Sequence, residues 1–222
     1  MTERIHAAIT RVLVLAVASS LGLVAASCQP PPVTGQAHPA LRDHAITKVA
    51  VLPLRISPRV PSAQPGATTS PEVAATIVAH QLTEALAARG LAVIAPSDMG
   101  RVLAMAGEDA ATVAVPVAAR LAHSEFGADT VLIGTLTRWV ERGGSARGAA
   151  TPAAVGFVVS LRVAPTGQKL WNATFDERQK PLGENVLVTS QYPGGGTRWL
   201  TAEELARWGA GRLVAALSLP SE

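Results

Sequence analysis

The chain has one cysteine in 222 residues, at position 28. A single thiol supports no internal disulfide framework, so any domain here is stabilised by burial alone. Aromatic residues are also few, four Trp, three Phe and one Tyr, so each tryptophan is worth placing. Beyond the amino-terminal leader, no apolar run approaches the roughly 18–20 residues that a membrane-spanning helix requires. Charge of one sign is lacking too. Lys and Arg number 19 against 16 Asp and Glu, without a basic cluster, which argues against a phosphate-backbone footprint and against nucleic acid as a partner.

Catalytic signatures are missing from the sequence: there is no HExxH helix, no GxSxG elbow and no GxxxxGK[ST] loop. His44, His80 and His123 have no acidic or cysteine neighbours at metal-ligand spacing, so neither a metal nor a cofactor is expected. Asp176 and Glu177 would point to opposite faces of a strand. Glu203 and Glu204 would sit in a helix's first turn, where acids are expected on dipole grounds. The sequence therefore predicts a protein that is not an enzyme.

What is present begins with a targeting segment. Arg4 and Arg11 precede the apolar run at 12–18, and a second run at 21–26 follows two serines. That order reads as a signal peptide over residues 1–27. The residues Leu23-Val24-Ala25-Ala26-Ser27 lead directly into Cys28. This resembles the lipobox of bacterial lipoproteins. The resemblance implies signal cleavage between Ser27 and Cys28, a diacylglyceryl group on the Cys28 thiol, and palmitate-type acylation of the new amino terminus. Each buried methylene contributes about 0.8 kcal/mol, and stable anchoring takes more than one chain. Gln29 stands where an aspartate typically favours inner-membrane retention, so the resemblance points to the outer membrane, on the periplasmic side. Removing Arg4, Arg11 and Glu3 with the leader leaves 17 basic and 15 acidic residues, a charge of +2.

Residues 28–46, the cysteine and a Pro-rich stretch, read as a tether that spans at most about 60 Å and averages nearer 25 Å. A single α/β domain is predicted over residues 47–218. Its first strand is Lys48 to Leu54, followed by a Pro-rich loop at 57–69. Ser70-Pro71-Glu72 gives a helix start, and Gly90 a stop. A short strand at 91–95 leads to helices opening near Pro96 and Pro116, the second ending at Gly127. Thr130 to Trp139 is the clearest strand, apolar on both faces at its core. After a flexible loop at 142–151, alternating residues from Val155 to Val163 and from Trp171 to Phe175 predict a β-hairpin. Thr201 and Glu204 fit a capping box, and Leu200 and Leu205 the accompanying hydrophobic staple. The expected architecture is a mixed sheet of about five strands with three to four helices packed on it, in two or three layers.

Trp139, Trp171, Trp199 and Trp208 are expected mainly to pack the hairpin and last helix together. Trp199, beside Arg198 in a loop, is the candidate for partner contact. The strand VAVLPL, the segment FGADTVLIGTLTRW and the hairpin with TGQKLW resemble a superfamily of periplasmic lipoproteins. It includes the curli secretion-channel subunit, activator lipoproteins of penicillin-binding proteins, and the amino-terminal domain of the Tol-system translocation protein. FDERQKPLGEN and RWLTAEELARWG resemble an uncharacterised lipoprotein subset of that group. The resemblance implies protein binding: an adaptor or assembly factor whose partner is an envelope protein or another copy of the chain. The alternatives within the group are an oligomeric secretion-channel component and a regulator of a peptidoglycan synthase.

Overall fold

The computed structural model describes residues 31–62, 68–180 and 192–219. The first of the chain's two units, Met1–Pro31, lies almost wholly outside these residues, with the predicted cleavage site and lipidation site. The second, Pro32–Glu222, is organised around one sheet.

Lys48-Val49-Ala50-Val51 forms β2 (Lys48–Val51), buried from Val49 onward. Burial on both faces suits the middle of a sheet. β2 pairs in parallel with β4 (Ala92–Ile94) on one side and with β5 (Thr130–Val140) on the other. A two-residue strand, β3 (Arg55–Ile56), continues alongside β5. From β5 the sheet becomes antiparallel through β8 (Ala154–Val163), β9 (Lys169–Arg178) and β1 (Val33–Ala37). The order is β1-β9-β8-β5-β2-β4, seven strands with β3. The sequence predicted the mixed character and underestimated the strand number.

Two of its local expectations are corrected. Residues 33–37, assigned to the tether, are an edge strand in register with 171–175. The next residues form a 3-10 turn, Pro39–Asp43, that buries Leu41. The second unit begins at Pro32, so most of residues 28–46 belong to the domain. The loop at 142–151 contains a small ribbon of β6 (Gly143–Gly144) and β7 (Ala149–Thr151).

Four α-helices cover the sheet. Helix α1 (Pro71–Ala87) starts where Ser70 Oγ accepts from the Val73 amide. Helices α2 (Pro96–Met105) and α3 (Val115–Phe126) each carry a proline in the first turn. Gly127 ends α3 in the left-handed conformation, φ +62°, which a residue with a Cβ rarely adopts. Helix α4 (Ala202–Ala215) has the predicted capping box, and Leu200 and Leu205 are both fully buried.

The helices form separate layers. Residues of α1 and α4 join one face of the sheet in a large apolar core, including Val78, Leu82, Leu136, Phe157, Phe175 and Leu213. Met99, Leu103, Ala118 and Ala122 of α2 and α3 meet Ala50, Leu52 and Val131 on the other face. The three-layer part is therefore the parallel half. On the antiparallel half the strand residues between the core positions are more open, and Val158 is 37% exposed. Between α1 and α4, Arg207 Nε donates to Gln81 Oε1 at 3.2 Å. Arg89 donates to the carbonyls of Val214 and Leu217 at 2.8 and 2.6 Å, tying the residues after α1 to the last turn of α4 and the chain just beyond it.

Candidate functional site

The segment GAD-x-VLIGT is a structural clamp. Gly127 turns the chain out of α3, Ala128 is buried, and Asp129 Oδ2 accepts from Thr47 N, Thr47 Oγ1 and Lys48 N at 2.7–2.9 Å. The carboxylate thereby fixes the start of β2 beside the start of β5. The histidines are also used locally. His44 Nδ1 lies 2.8 Å from the Ala40 carbonyl and His123 Nδ1 3.0 Å from that of Ala128. His80 on α1 faces Glu84 at 3.2 Å. Among the described residues, no group of three or more His, Cys, Asp or Glu is placed to hold a metal.

The carboxylate pairs separate as the strand and helix geometry requires. Asp176 is ion-paired with Arg138, whereas Glu177 accepts from the Tyr192 hydroxyl at 2.6 Å. Burial pushes the Glu177 carboxyl up, against the lowering effect of the Tyr192 bond, and burial with Glu177 nearby pushes the Tyr192 hydroxyl up strongly. Glu204 goes the other way. Hydrogen bonds from Arg198 hold it down at about 2, against a raising effect of burial, with help from Thr201.

The tryptophans divide between core and rim. Trp139 and Trp171 are buried. Trp208 meets Phe175 edge-on at 5.8 Å and Tyr192 at 5.1 Å, so it packs the last helix onto the hairpin. Trp199 is half-buried beside exposed Arg198. Its backbone is held from both sides: its amide donates to Ala146 O at 2.9 Å, and Arg142 donates to its carbonyl at 2.6 Å. Arg198 makes two bonds to Glu204, at 2.7 and 2.8 Å.

Sequence reasoning missed the residue that positions this pair. Gln179, buried at the end of β9, donates to Arg198 O at 2.8 Å and accepts from Leu200 N at 2.6 Å. It therefore grips the backbone on either side of Trp199. A glutamine just after a strand carries no local signal of such a role. Close by, a polar hollow of about 240 Å³ is bounded by Trp139, Glu141, Arg142 and the first residues of α4. Burial pushes the Glu141 carboxyl up, but bonds from Thr69, Thr68 and Trp139 together hold it below the ordinary range.

A larger concavity lies elsewhere, at the carboxyl ends of β2 and β4. It is an apolar cleft of about 490 Å³ between α1 and α2. Its volume falls within the range of small-ligand pockets, about 300–1,000 Å³. Clefts outside the carboxyl ends of parallel strands are common binding positions in open α/β sheets. The sequence did not single it out, because Leu54, Ala79 and Gly100 are separated along the chain and each reads as ordinary packing.

No family model and no curated protein matches the chain. Several solved structures are similar to it. One is the PelC dodecamer from Paraburkholderia phytofirmans, 18% identical over 85% of this chain and 98% of that one, with a TM-score of 0.47. Another is lipoprotein GNA1162 from Neisseria meningitidis, 18% identical over 63% and 87%, with a TM-score of 0.43. A third is the LpoB carboxy-terminal domain from Salmonella enterica, 18% identical over 61% and 84%, with a TM-score of 0.40. No helix among the described residues is long and apolar enough to cross a membrane.

Proposed function

We propose that this chain is a non-enzymatic lipoprotein of the bacterial envelope, held on the periplasmic side of the outer membrane by acylated Cys28. In this reading it acts as an adaptor or assembly factor, and Trp199 and Arg198 contribute to partner contact. The observation that carries the reading is the short distance in sequence between the lipobox and the fold. Cys28 precedes the edge strand Val33–Ala37 by five residues. Five extended residues reach about 17 Å, so lipid on Cys28 would hold the domain itself against the bilayer.

The adaptor role is supported by how the polar side chains are used. Asp129, His44, His123 and Gln179 bond to the chain's own backbone. Trp199 presents part of a large ring at the surface on a backbone fixed from three directions, which lowers the entropy cost of using it as an anchor.

A photo-crosslinking residue at position 199 of the full-length protein tests the role in cells. Discrete adducts with one envelope protein, or with a second copy of the chain, are expected, and they weaken when Gln179→Leu loosens the support. Hydrolytic activity abolished by changing His80 or His123, with no adduct at 199, would contradict the reading.

A further inference from the structure

The apolar cleft and the start of the domain lie at the same end of the sheet. Ile56 is in register with Leu136, Leu136 with Phe157, Phe157 with Phe175, and Phe175 with Val33. One transverse row therefore runs from the cleft to the first residue of β1. Four strand spacings of about 4.8 Å make it about 19 Å long. β1 runs antiparallel to β9, which places Val33, and the chain entering it, at the carboxyl ends of the parallel strands. The cleft opens at those same ends. Cys28 precedes Val33 by five residues, a reach of at most about 17 Å.

The cleft's chemistry is equally one-sided. Leu54 and Ile56 line it from the sheet, Ala75 and Ala79 from α1, and Pro96 and Gly100 from α2. The small residues on α1 leave the space that larger ones would fill. Val73, in the first turn of α1, is 52% exposed. Glu72, Thr76 and His80 add polar groups from α1. Glu72 is an exposed acid, its carboxylate favoured by bonds from Ser70 and from its own amide.

We infer that this cleft takes an acyl chain of a bilayer lipid whose headgroup carries an ammonium, with the hydrocarbon against Leu54, Ile56 and Ala79 and the ammonium against Glu72. The inference rests on the reading of Cys28 as the lipid anchor. An apolar cleft held beside a bilayer meets hydrocarbon at high local concentration. Moving a chain from bilayer to cleft changes its surroundings little, so the ammonium–carboxylate contact decides occupancy. Occupancy would add a second attachment about 19 Å from the first strand, and two attachments fix the domain's orientation on the membrane.

The test uses the mature acylated protein on vesicles of phosphatidylethanolamine and phosphatidylglycerol. The probe is phosphatidylethanolamine with a photoactivatable group in mid-chain. Labelling is expected in segments 71–83 and 95–100, and it is lost in Gly100→Leu and in Thr76→Phe. A Cβ at Gly100 meets only Pro53 Cγ, at 3.5 Å, an ordinary contact, and Thr76 is exposed, so both variants fill the cleft without entering the core. Thermal unfolding of each variant is compared with wild type. Acyl mass on Cys28, with vesicle binding but no label in these segments, overturns the inference and leaves the anchored reading standing. That outcome includes a cleft filled by a protein segment or by Cys28's own chains. Labelling that survives both substitutions, or is equal with a phosphatidylglycerol probe, also overturns it. A Cys28 without acyl mass removes both the inference and the reading beneath it.

Discussion

Gly209 and Gly211 sit two residues apart on α4 and do opposite work. A Cβ at Gly209 would lie 2.5 Å from the Phe175 ring, whereas one at Gly211 meets nothing within 4 Å. Phe175 is locked between Phe157 at 5.2 Å and Trp208 at 5.8 Å, so it cannot step aside cheaply. Gly209→Ala is expected to destabilise the protein by about 1–3 kcal/mol through overpacking. Gly211→Ala is expected to stabilise it by up to about 1 kcal/mol, because alanine is the better helix former. Chemical denaturation of the two variants checks both signs. Glu204 supplies a second test at this scale. Its carboxyl is held at about 2 by the Arg198 bonds, below the ordinary unfolded value of about 4.3. A depressed folded value contributes stability that is complete above the unfolded value and fades as pH falls from about 4.3 towards 2. Arg198→Ala is therefore expected to return the Glu204 titration, followed by NMR, towards the ordinary range and to flatten the acid limb of stability.

At the scale of elements, the starts of α1 and α4 were legible because capping is local. Ser70-Pro71-Glu72 and Thr201 with Glu204 carry their signals within four residues, and both caps form. The hairpin was legible for the same reason, with Phe157, Val159 and Leu161 alternating against Gly156, Val158, Ser160 and Arg162. β1 was not. VTGQA has only Val33 and Thr34 as strand formers, with glycine at its centre, and its pairing is with residues about 140 positions away. Its Pro-rich flank gave the sequence the look of a tether. β3 was missed because two residues carry no periodicity. The Arg198–Trp199 candidate was legible as an aromatic beside a cation, but the Gln179 grip and the apolar cleft depend on long-range approach. The assignment of β1 has its own consequence. A chain beginning at Thr47 loses the β9 partner strand and the burial of Leu41, and burying one leucine is worth about 1.5–3 kcal/mol. Its melting temperature should be at least about 5 °C below that of a chain beginning at Pro32. Equal melting temperatures would return residues 33–43 to the tether.

At the scale of the whole molecule, the proposed anchor and the fold would reinforce one another. A long tether would let the domain range away from the membrane, whereas five residues before an edge strand allow about 17 Å. In the proposed reading, the end of the sheet that carries β1's first residue is held near the bilayer, together with the cleft between α1 and α2. Trp199 and Arg198, the pair proposed for partner contact, sit on a separately braced segment before α4. Adaptor work needs this combination of fixed position and rigid presentation more than it needs reactive groups.

All of this depends on the state of one residue, and the direct test is intact mass with membrane fractionation of the expressed full-length protein beside Cys28→Ala. The account predicts a mature species starting at Cys28, with added acyl mass, in the outer-membrane fraction, and loss of both mass and membrane association in the variant. A wild-type protein without acyl mass in the soluble fraction would contradict it.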